Sequence, residues 1–570
     1  MKKEISIVLQ KALKKLDVEL KPEELENLIE IPPSAEMGDF AFPCFSLTGK
    51  LKRSPQEIAI NLREQIGNPS KGLEDIQTSG PYINFFLNRK DLAINLIEEI
   101  LTQKENYGKI PIPKKPIRTM MEFVSPNTNK PLHIGHLRNM SIGESVSRLL
   151  EFNGEKVIRA NLNNDRGIHI CKSMWAYKNF GKNSKPTKKL KSDHLVGKYY
   201  ALYGEKEKAK PEIETQVHEM LRLWESEDPE VRKLWEKMNK WAFEGWKETL
   251  VRFGIKFDKE YYESKIYKQG KEIVLEGLKK GIFEKNKEGA VLIDLEKEGL
   301  GEKILLRMDG TSVYITQDLY LAQLKIKEFN LDKSIYVTGN EQDYHFNVLF
   351  TILKKLGFEN KGLYHLSYGM IRLPEGKIKS REGTQGLSVD EILDKVQELV
   401  KKELNKRSKL SKKELEERSL KISLAAIKYA MLKVDSKKNM IFNPKESISL
   451  EGDTGPYIQY SYARASSILK KAKNKKKSEI KIIELGKYET ELIKKISEFR
   501  EIVQKANYTM NPSQIANYAY QLAQIFNEFY HESPVIGSEQ ESFRLKLIES
   551  FRIVLKNSLF LLGIDVLEEM

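Results

Sequence analysis

The stretch Thr119–Asn139, TMMEFVSPNTNKPLHIGHLRN, constrains the fold more than any other part of the chain. It runs from a strand-like segment, Thr119–Val124, through a loop rich in proline and asparagine into a helix beginning near His133. Strand, loop and helix in that order open a parallel α/β sheet. The alternation resumes later, with Ser312–Thr316 read as a strand and a helix following from about Asp318 to Glu328. Ser334–Thr338 and Leu363–Met370 read as further strands.

A chain of 570 residues exceeds one core and fits roughly three or four domains. Residues 1–110 form a first unit of helices and short strands, opened by an amphipathic helix with Ile5, Val8, Leu9, Ala12, Leu13 and Leu16 on one face. Lys104–Arg118, with three prolines and no periodicity, is a linker. The sheet domain spans 115–395, interrupted at about 173–300 by a helical, Lys/Glu-rich insertion that holds all five tryptophans, read as its core. From about Val396 the chain is helical, and 415–570 form a last domain. There Leu420, Leu424, Ile427 and Met431 follow helical spacing, Asn511-Pro512 caps a helix, and Leu547, Phe551, Leu555, Leu559 and Leu562 run into a stop at Gly563. Lys470, Lys471, Lys473, Lys475, Lys476 and Lys477 read as a solvated turn or a phosphate contact.

The net charge of +15 and pI near 9.2 suit a polyanionic partner, or simply a lysine-rich surface. No apolar run approaches the roughly 18 residues of a membrane span, and the N-terminus has no signal-peptide pattern. Cys44 and Cys171, far apart, make a disulfide framework and a Cys-rich zinc site improbable. These features favour the cytosol.

His133 and His136 stand three apart at a helix start, so both imidazoles face one way. Gly135 between them leaves room for a flat group, and the helix N-terminus suits anionic phosphate. Two surface histidines or a metal pair are the other readings, but no third ligand lies at sensible spacing.

PLHIGHLRN resembles the HIGH signature of class I aminoacyl-tRNA synthetases. EFVSPN before it and NLNNDRG at Asn161–Gly167 resemble the arginine-specific branch. So do IPPSAEMGDFAFPCF (Ile31–Phe45), GPYINFFLN (Gly80–Asn88), DGTSVYITQDL (Asp309–Leu319), YVTGNEQDYHF (Tyr336–Phe346) and EGDTGPYIQYSYARASSI (Glu451–Ile468), in family order along the whole chain. The chain is thereby identified as a member of the arginyl-tRNA synthetase family. The resemblance implies a Rossmann-like catalytic domain, an N-terminal α+β add-on and an all-α anticodon-binding domain.

It further implies ligation of L-arginine to tRNA(Arg) through arginyl-adenylate, with ATP and Mg²⁺ as the substrate complex and transfer to a terminal 2′-hydroxyl. The family's second motif, KMSKS, departs here to Lys377-Ile378-Lys379-Ser380-Arg381. Lys377, Lys379 and Arg381 can still meet phosphate oxygens, and Lys130 is a further candidate; which of them replaces the missing lysine stays open. By resemblance the catalytic set is His133, His136, Lys130, Lys377 and Arg381, with Gly135, Gly339, His345 and Lys379 also on ATP.

A guanidinium is planar and always charged, so its pocket needs carboxylates and neutral acceptors. By resemblance Tyr314 and Asp318 hold the guanidinium, while Glu122, Ser125, Pro126, Asn127, His136 and Gln342 complete the arginine site. From spacing alone, a strand tyrosine is usually packing and an aspartate at a helix start is usually a cap. Tyr82 and Asn84 match the family's pair for a D-loop base, and strand alternation would place them opposite Ile83 and Phe85, free for RNA. Tyr457, Gln459, Tyr460 and Arg464 read as the anticodon surface, and no metal site, no membrane contact and a monomer are expected. The rivals are a small-molecule nucleotidyltransferase and a catalytically silent tRNA-binding relative.

Overall fold

The computed structural model describes the chain except residues 1, 70–71, 359–360, 375–386, 408, 473–479 and 481. It divides into two compact units, one of Met1–Lys104, Ala472–Ser497 and Glu528–Phe551, the other of the remaining segments.

In the first unit, β1 (Phe40–Pro43), β2 (Leu73–Ser79) and β3 (Tyr82–Leu87) form an antiparallel sheet in the order β1-β3-β2. The hairpin turns on Gly80 at φ +55°, a left-handed conformation that glycine adopts without steric cost. The helix Lys2–Lys14 buries Ile5, Leu9, Ala12 and Leu13 in the same core as Phe42, Ile58, Leu62 and Phe85. Lys90 Nζ donates to Ile483 O at 2.7 Å, so the C-terminal segment Ala472–Ser497 is tied into this unit.

The second unit contains β4 (Arg118–Glu122), β5 (Lys156–Asn163), β6 (Lys259–Tyr262), the short β7 (Glu284–Lys285), β8 (Val291–Leu295), β9 (Gly301–Leu306), β10 (Lys333–Gly339) and β11 (Gly362–Tyr368). Five of these make a parallel sheet in the order β11-β10-β4-β5-β6. Connections leave β4 towards β5 on one side and reach β10 on the other, so the order reverses between β4 and β10. Open α/β sheets bind ligands in the crevice at such a reversal, outside the carboxyl ends of the strands.

Two expectations are corrected here. Ser312–Thr316 is not a strand: the helix Tyr314–Phe329 begins inside it, with Ile315, Leu319, Ala322 and Ile326 buried at helical spacing. The β-branched and aromatic run VYIT misled, while the longer 3.6-residue period decides the local structure. The insertion expected over about 173–300 also contains β6, a true strand of the parallel sheet, whose four residues KEYY are too short and polar for a periodic signal. The helices Ile168–Phe180, Ser192–Ala209, Ile213–Glu225 and Pro229–Phe253 lie between β5 and β6, and the antiparallel β7-β8-β9 sheet follows β6.

Trp175 and Trp224 belong to the core of those helices, with Trp235 and Trp241 packed against it. The fifth tryptophan, Trp246, is buried elsewhere and donates through Nε1 to Lys130 O at 3.2 Å.

The rest of the chain is mainly helical. The helix Lys412–Leu432 starts at a capping box of Ser411 and Glu414, and Asn511 Oδ1 accepts the Ser513 amide at 3.1 Å as its sequence position suggested. Gly563 takes φ +68° just after the helix Glu541–Leu561. Lys473, Lys475, Lys476 and Lys477 lie outside the described residues. Among the described residues no helix is long and apolar enough to cross a membrane.

Candidate active site

The β4–helix junction builds the site from its own backbone needs. His133 is the N-cap of the helix Ile134–Phe152, and its Nδ1 accepts the Gly135 amide at 3.2 Å. His136 Nδ1 in turn accepts the His133 amide at 3.0 Å. The two rings sit 4.1 Å apart between centroids, and the flat group over Gly135 is the His133 imidazole itself. Burial, with Lys130 nearby, pulls His133 down to about 4. Burial, with His133 and Lys130 adding, holds His136 well below the usual histidine range. Both rings are therefore neutral at pH 7, and an Nδ1 that accepts leaves the proton on Nε2. Two neutral N–H donors thus flank a helix N-terminus, which itself favours phosphate.

The loop ahead of this turn is held in an unusual shape. Val124 and Ser125 take φ +75° and +43°, a region that a β-branched residue enters only when its surroundings impose it. The Val124 amide donates to Asn139 Oδ1 at 2.6 Å and the Ser125 amide to Asn161 Oδ1 at 3.0 Å. Asn139 Nδ2 donates onward to Val337 O at 2.7 Å, tying the loop to β10 across the reversal. Asn139 and Asn161 are site residues that the sequence reading passed over, although both lie inside the quoted HLRN and NLNND motifs. Pro126 is buried and Asn127 exposed, with Asn127 bridging Asn164.

On the facing side, Tyr314 and Asp318 stand four apart on one helix, Tyr314 72 % exposed. Asp318 Oδ2 lies 2.7 Å from His345 Nε2. That hydrogen bond raises the His345 pKa against the effect of burial. Gly339 ends β10, and Gln342 is exposed in the turn that follows.

Glu122, expected to touch arginine, has its buried carboxylate on the fully buried Lys325 ammonium. A carboxyl that sequence reading missed is Glu263, just past β6: burial lifts it to about 7, and the negative charges of Asp165 and Asp318 push the same way. No local pattern marks Glu263, because the four residues KEYY carry no strand signal of their own. Lys377, Lys379 and Arg381 lie outside the described residues. Ser388 bridges His133 and the Val389 amide donates to Leu132 O at 2.8 Å, beside the histidine turn.

The RNA-facing expectations divide. Tyr82 is half-buried, edge-on to Phe45, but Asn84 is only 6 % exposed. Gly38, at φ +96°, backs onto β3 beside Asn84 so closely that a side chain would meet Phe85 O at 3.0 Å, so the covering segment removes the expected free face. Tyr457, Tyr460 and Arg464 share one helix face, with Asn527 bonded to Tyr457 Oη at 3.0 Å and to Arg464 Nη1 at 3.0 Å. Gln459 turns inward, fully buried, and donates to Asp565 O at 2.7 Å.

The family model described as tRNA synthetases class I (R), catalytic domain, matches residues 96–444. The Arginyl tRNA synthetase N terminal domain matches 3–87 and the DALR anticodon binding domain 458–570. The chain is 43 % identical over 566 residues to the arginine–tRNA ligase of Treponema denticola, covering 96 % of this chain and 95 % of the relative. It is 42 % identical over 580 residues to that of Bacteroides thetaiotaomicron, covering 96 % of each. The Thermus thermophilus arginyl-tRNA synthetase structure superposes with a TM-score of 0.77 at 25 % identity, covering 100 % of both chains. With the strand order, the histidine turn and three domain matches in sequence all agreeing, this chain belongs to the arginyl-tRNA synthetases of class I.

Proposed function

We propose that the crevice between β4 and β10 carries out the family's reaction with the residues named above. That reaction activates arginine with ATP and Mg²⁺ as arginyl-adenylate and then transfers it to tRNA(Arg). The arginine carboxylate is the nucleophile on the α-phosphate, so the protein need not activate a serine or cysteine. Its work is to align the reactants and stabilise charge that develops on phosphate. The observation that carries the reading is the double Nδ1 acceptance in the histidine turn, which orients His133 and His136 as neutral Nε2 donors. Lys130, Lys377, Lys379 and Arg381 supply positive charge to the phosphates, and Gly135, Gly339 and His345 line the ATP side.

Asp318 and Tyr314 receive the guanidinium, with Glu263 as a second carboxyl that ionises when the cation arrives. Ser125, Pro126, Asn127 and Gln342 surround the amino-acid end, and Glu122 acts there from its Lys325 ion pair. Tyr82 reads the tRNA elbow, and the Tyr457–Tyr460–Arg464 face reads the anticodon. The corresponding parts are 1–110 for the elbow, 115–395 for catalysis and 415–570 for the anticodon. The aminoacyl group goes to the terminal 2′-hydroxyl, and the protein works as a cytosolic monomer without membrane contact.

The test is ATP–pyrophosphate exchange with arginine, with and without tRNA(Arg), for the parent and His136→Asn. Loss of exchange in the variant with arginine binding retained supports the reading. Unchanged exchange refutes the role given to the histidine turn.

A further inference from the structure

The tryptophan-rich insertion grips the histidine turn from two directions. Directly, Trp246 Nε1 donates to Lys130 O at 3.2 Å, and Gly197 lies so close to Pro131 that an added Cβ would meet Pro131 Cδ at 2.6 Å. Indirectly, it holds the segment that pairs with the turn. Ser388 bridges His133, Val389 donates to Leu132 O, and the next residue is Asp390, in the first turn of the helix Val389–Arg407.

Asp390 is the point where insertion and helix meet. Its Oδ2 lies 2.7 Å from Lys191 Nζ and accepts the Thr249 hydroxyl at 2.9 Å. Its Oδ1 lies 3.3 Å from Arg252 Nη1, whose other nitrogen reaches Asp394 at 2.7 Å. His194 Nε2 stands 3.6 Å from the same carboxylate. Lys191 and His194 flank the start of the helix Ser192–Ala209, and Thr249 and Arg252 lie on Pro229–Phe253. Asp193, His194 and Asp390 are close enough together to suggest a metal site. The Lys191 ammonium, 2.7 and 3.4 Å from the two carboxylates, already supplies the positive charge such a site would need.

A buried carboxylate with this many donors holds position tightly, because losing any partner leaves charge uncompensated. From the network a path to the histidine turn runs through Ser388–Val389 to Leu132–His133, beside the direct contacts of Trp246 and Gly197. We infer that Asp390 is a positioning residue for arginine activation: through it the insertion sets the register of the segment paired with His133, and so the placement of both imidazoles. This rests on the reading of the histidine turn given above.

Three substitutions test it in the full-length chain. Asp390→Asn removes the charge, Thr249→Val removes one hydroxyl while keeping shape, and Thr249→Ser restores the hydroxyl. Misplacement of reacting groups by about an ångström costs up to roughly 10²-fold in rate. In pyrophosphate exchange, Asp390→Asn is expected to lower kcat about 30-fold and Thr249→Val about fivefold, with arginine KM within about twofold. Thr249→Ser recovers the parent kcat, and the Thr249→Val melting temperature stays within about 4 °C.

Unchanged kcat in folded Asp390→Asn and Thr249→Val overturns the inference. So does a kcat loss in Thr249→Val that merely tracks lost folded protein, or one that Thr249→Ser does not restore. His136→Asn, run alongside, separates the two claims. If it abolishes exchange while the Asp390 and Thr249 variants do not, only the inference fails; if it leaves exchange intact, the reading of the turn fails and the inference with it.

Discussion

His345 Nε2 lies 2.7 Å from Asp318 Oδ2, so the carboxylate assigned to the arginine guanidinium is engaged by an imidazole from the next helix, Asp343–Leu353. The hydrogen bond raises the His345 pKa above 6.5. Around this pair, Glu263, Lys325 and Tyr336 feel the charge of Asp318, and His365 feels that of His345. Below the usual histidine pKa the imidazolium is fully present and competes with arginine. As pH rises through the raised value the proton leaves and Asp318 is released. The arginine KM should therefore fall as pH rises from 6.5 through the raised His345 value. His345→Asn should flatten that profile; a parallel slope in the variant would assign the titration to another group. The same pair stabilises the fold below pH about 6.5 and loses that contribution as pH rises through the raised His345 value.

Asp318→Asn should raise the arginine KM and leave ATP binding nearly intact. Breaking a fully buried ion pair costs roughly 3–5 kcal/mol. The Asp318 side chain is 31 % exposed, so about 2–3 kcal/mol, or roughly 30- to 150-fold in KM, is expected here. A shift under about fivefold would make Asp318 only the partner of His345.

Glu122 has two candidate duties, and one double variant separates them. Lys325 is fully buried against it, so Glu122→Gln should destabilise the protein by about 3–5 kcal/mol. Adding Lys325→Met removes the stranded charge and should restore most of the stability. If arginine KM stays raised in the refolded double variant, Glu122 also serves the substrate. Recovery of both would confine it to the fold.

His136 accepts the His133 amide through Nδ1, which leaves its proton on Nε2 as the proposed donor. Substitution by Ala removes both, with about 1 kcal/mol of helix stability expected from the lost cap. Asn can retain an acceptor near the turn but not the Nε2 donor. Both variants should lose roughly 2–4 kcal/mol of transition-state stabilisation in adenylate formation. A raised KM for ATP at full kcat would limit His136 to ground-state binding.

By family resemblance, exchange with arginine and ATP alone should be weak and rise strongly when tRNA(Arg) is added, a population shift set by differential binding. Robust exchange without tRNA would remove this chain from that pattern. Tyr82→Ala should raise the tRNA KM several-fold, about 1 kcal/mol per lost stack, and leave arginine KM alone. It is a cleaner test than deleting the first domain, because Lys90 bonds to Ile483 O and a C-terminal segment belongs to the same unit.

Much was legible from neighbours along the chain. The helix start near His133, the Asn511 cap, the stop at Gly563 and the apolar face of Lys2–Lys14 all depend on residues within one or two helical turns. The motif set was likewise local, and it carried the family. Tertiary structure decided what local pattern leaves open. It recruited the short KEYY segment as β6 by pairing it with β5, and let the Ile315–Ile326 stripe override a strand-like VYIT. It covered Asn84, turned Gln459 inward, forced Val124 to φ +75° through Asn139, and set His345 on Asp318 and Ser388 against His133. Capping and periodicity are short-range because a helix or turn bonds to itself. Which carboxylate meets which cation depends on what distant segments share the same buried volume, and no sequence spacing measures that.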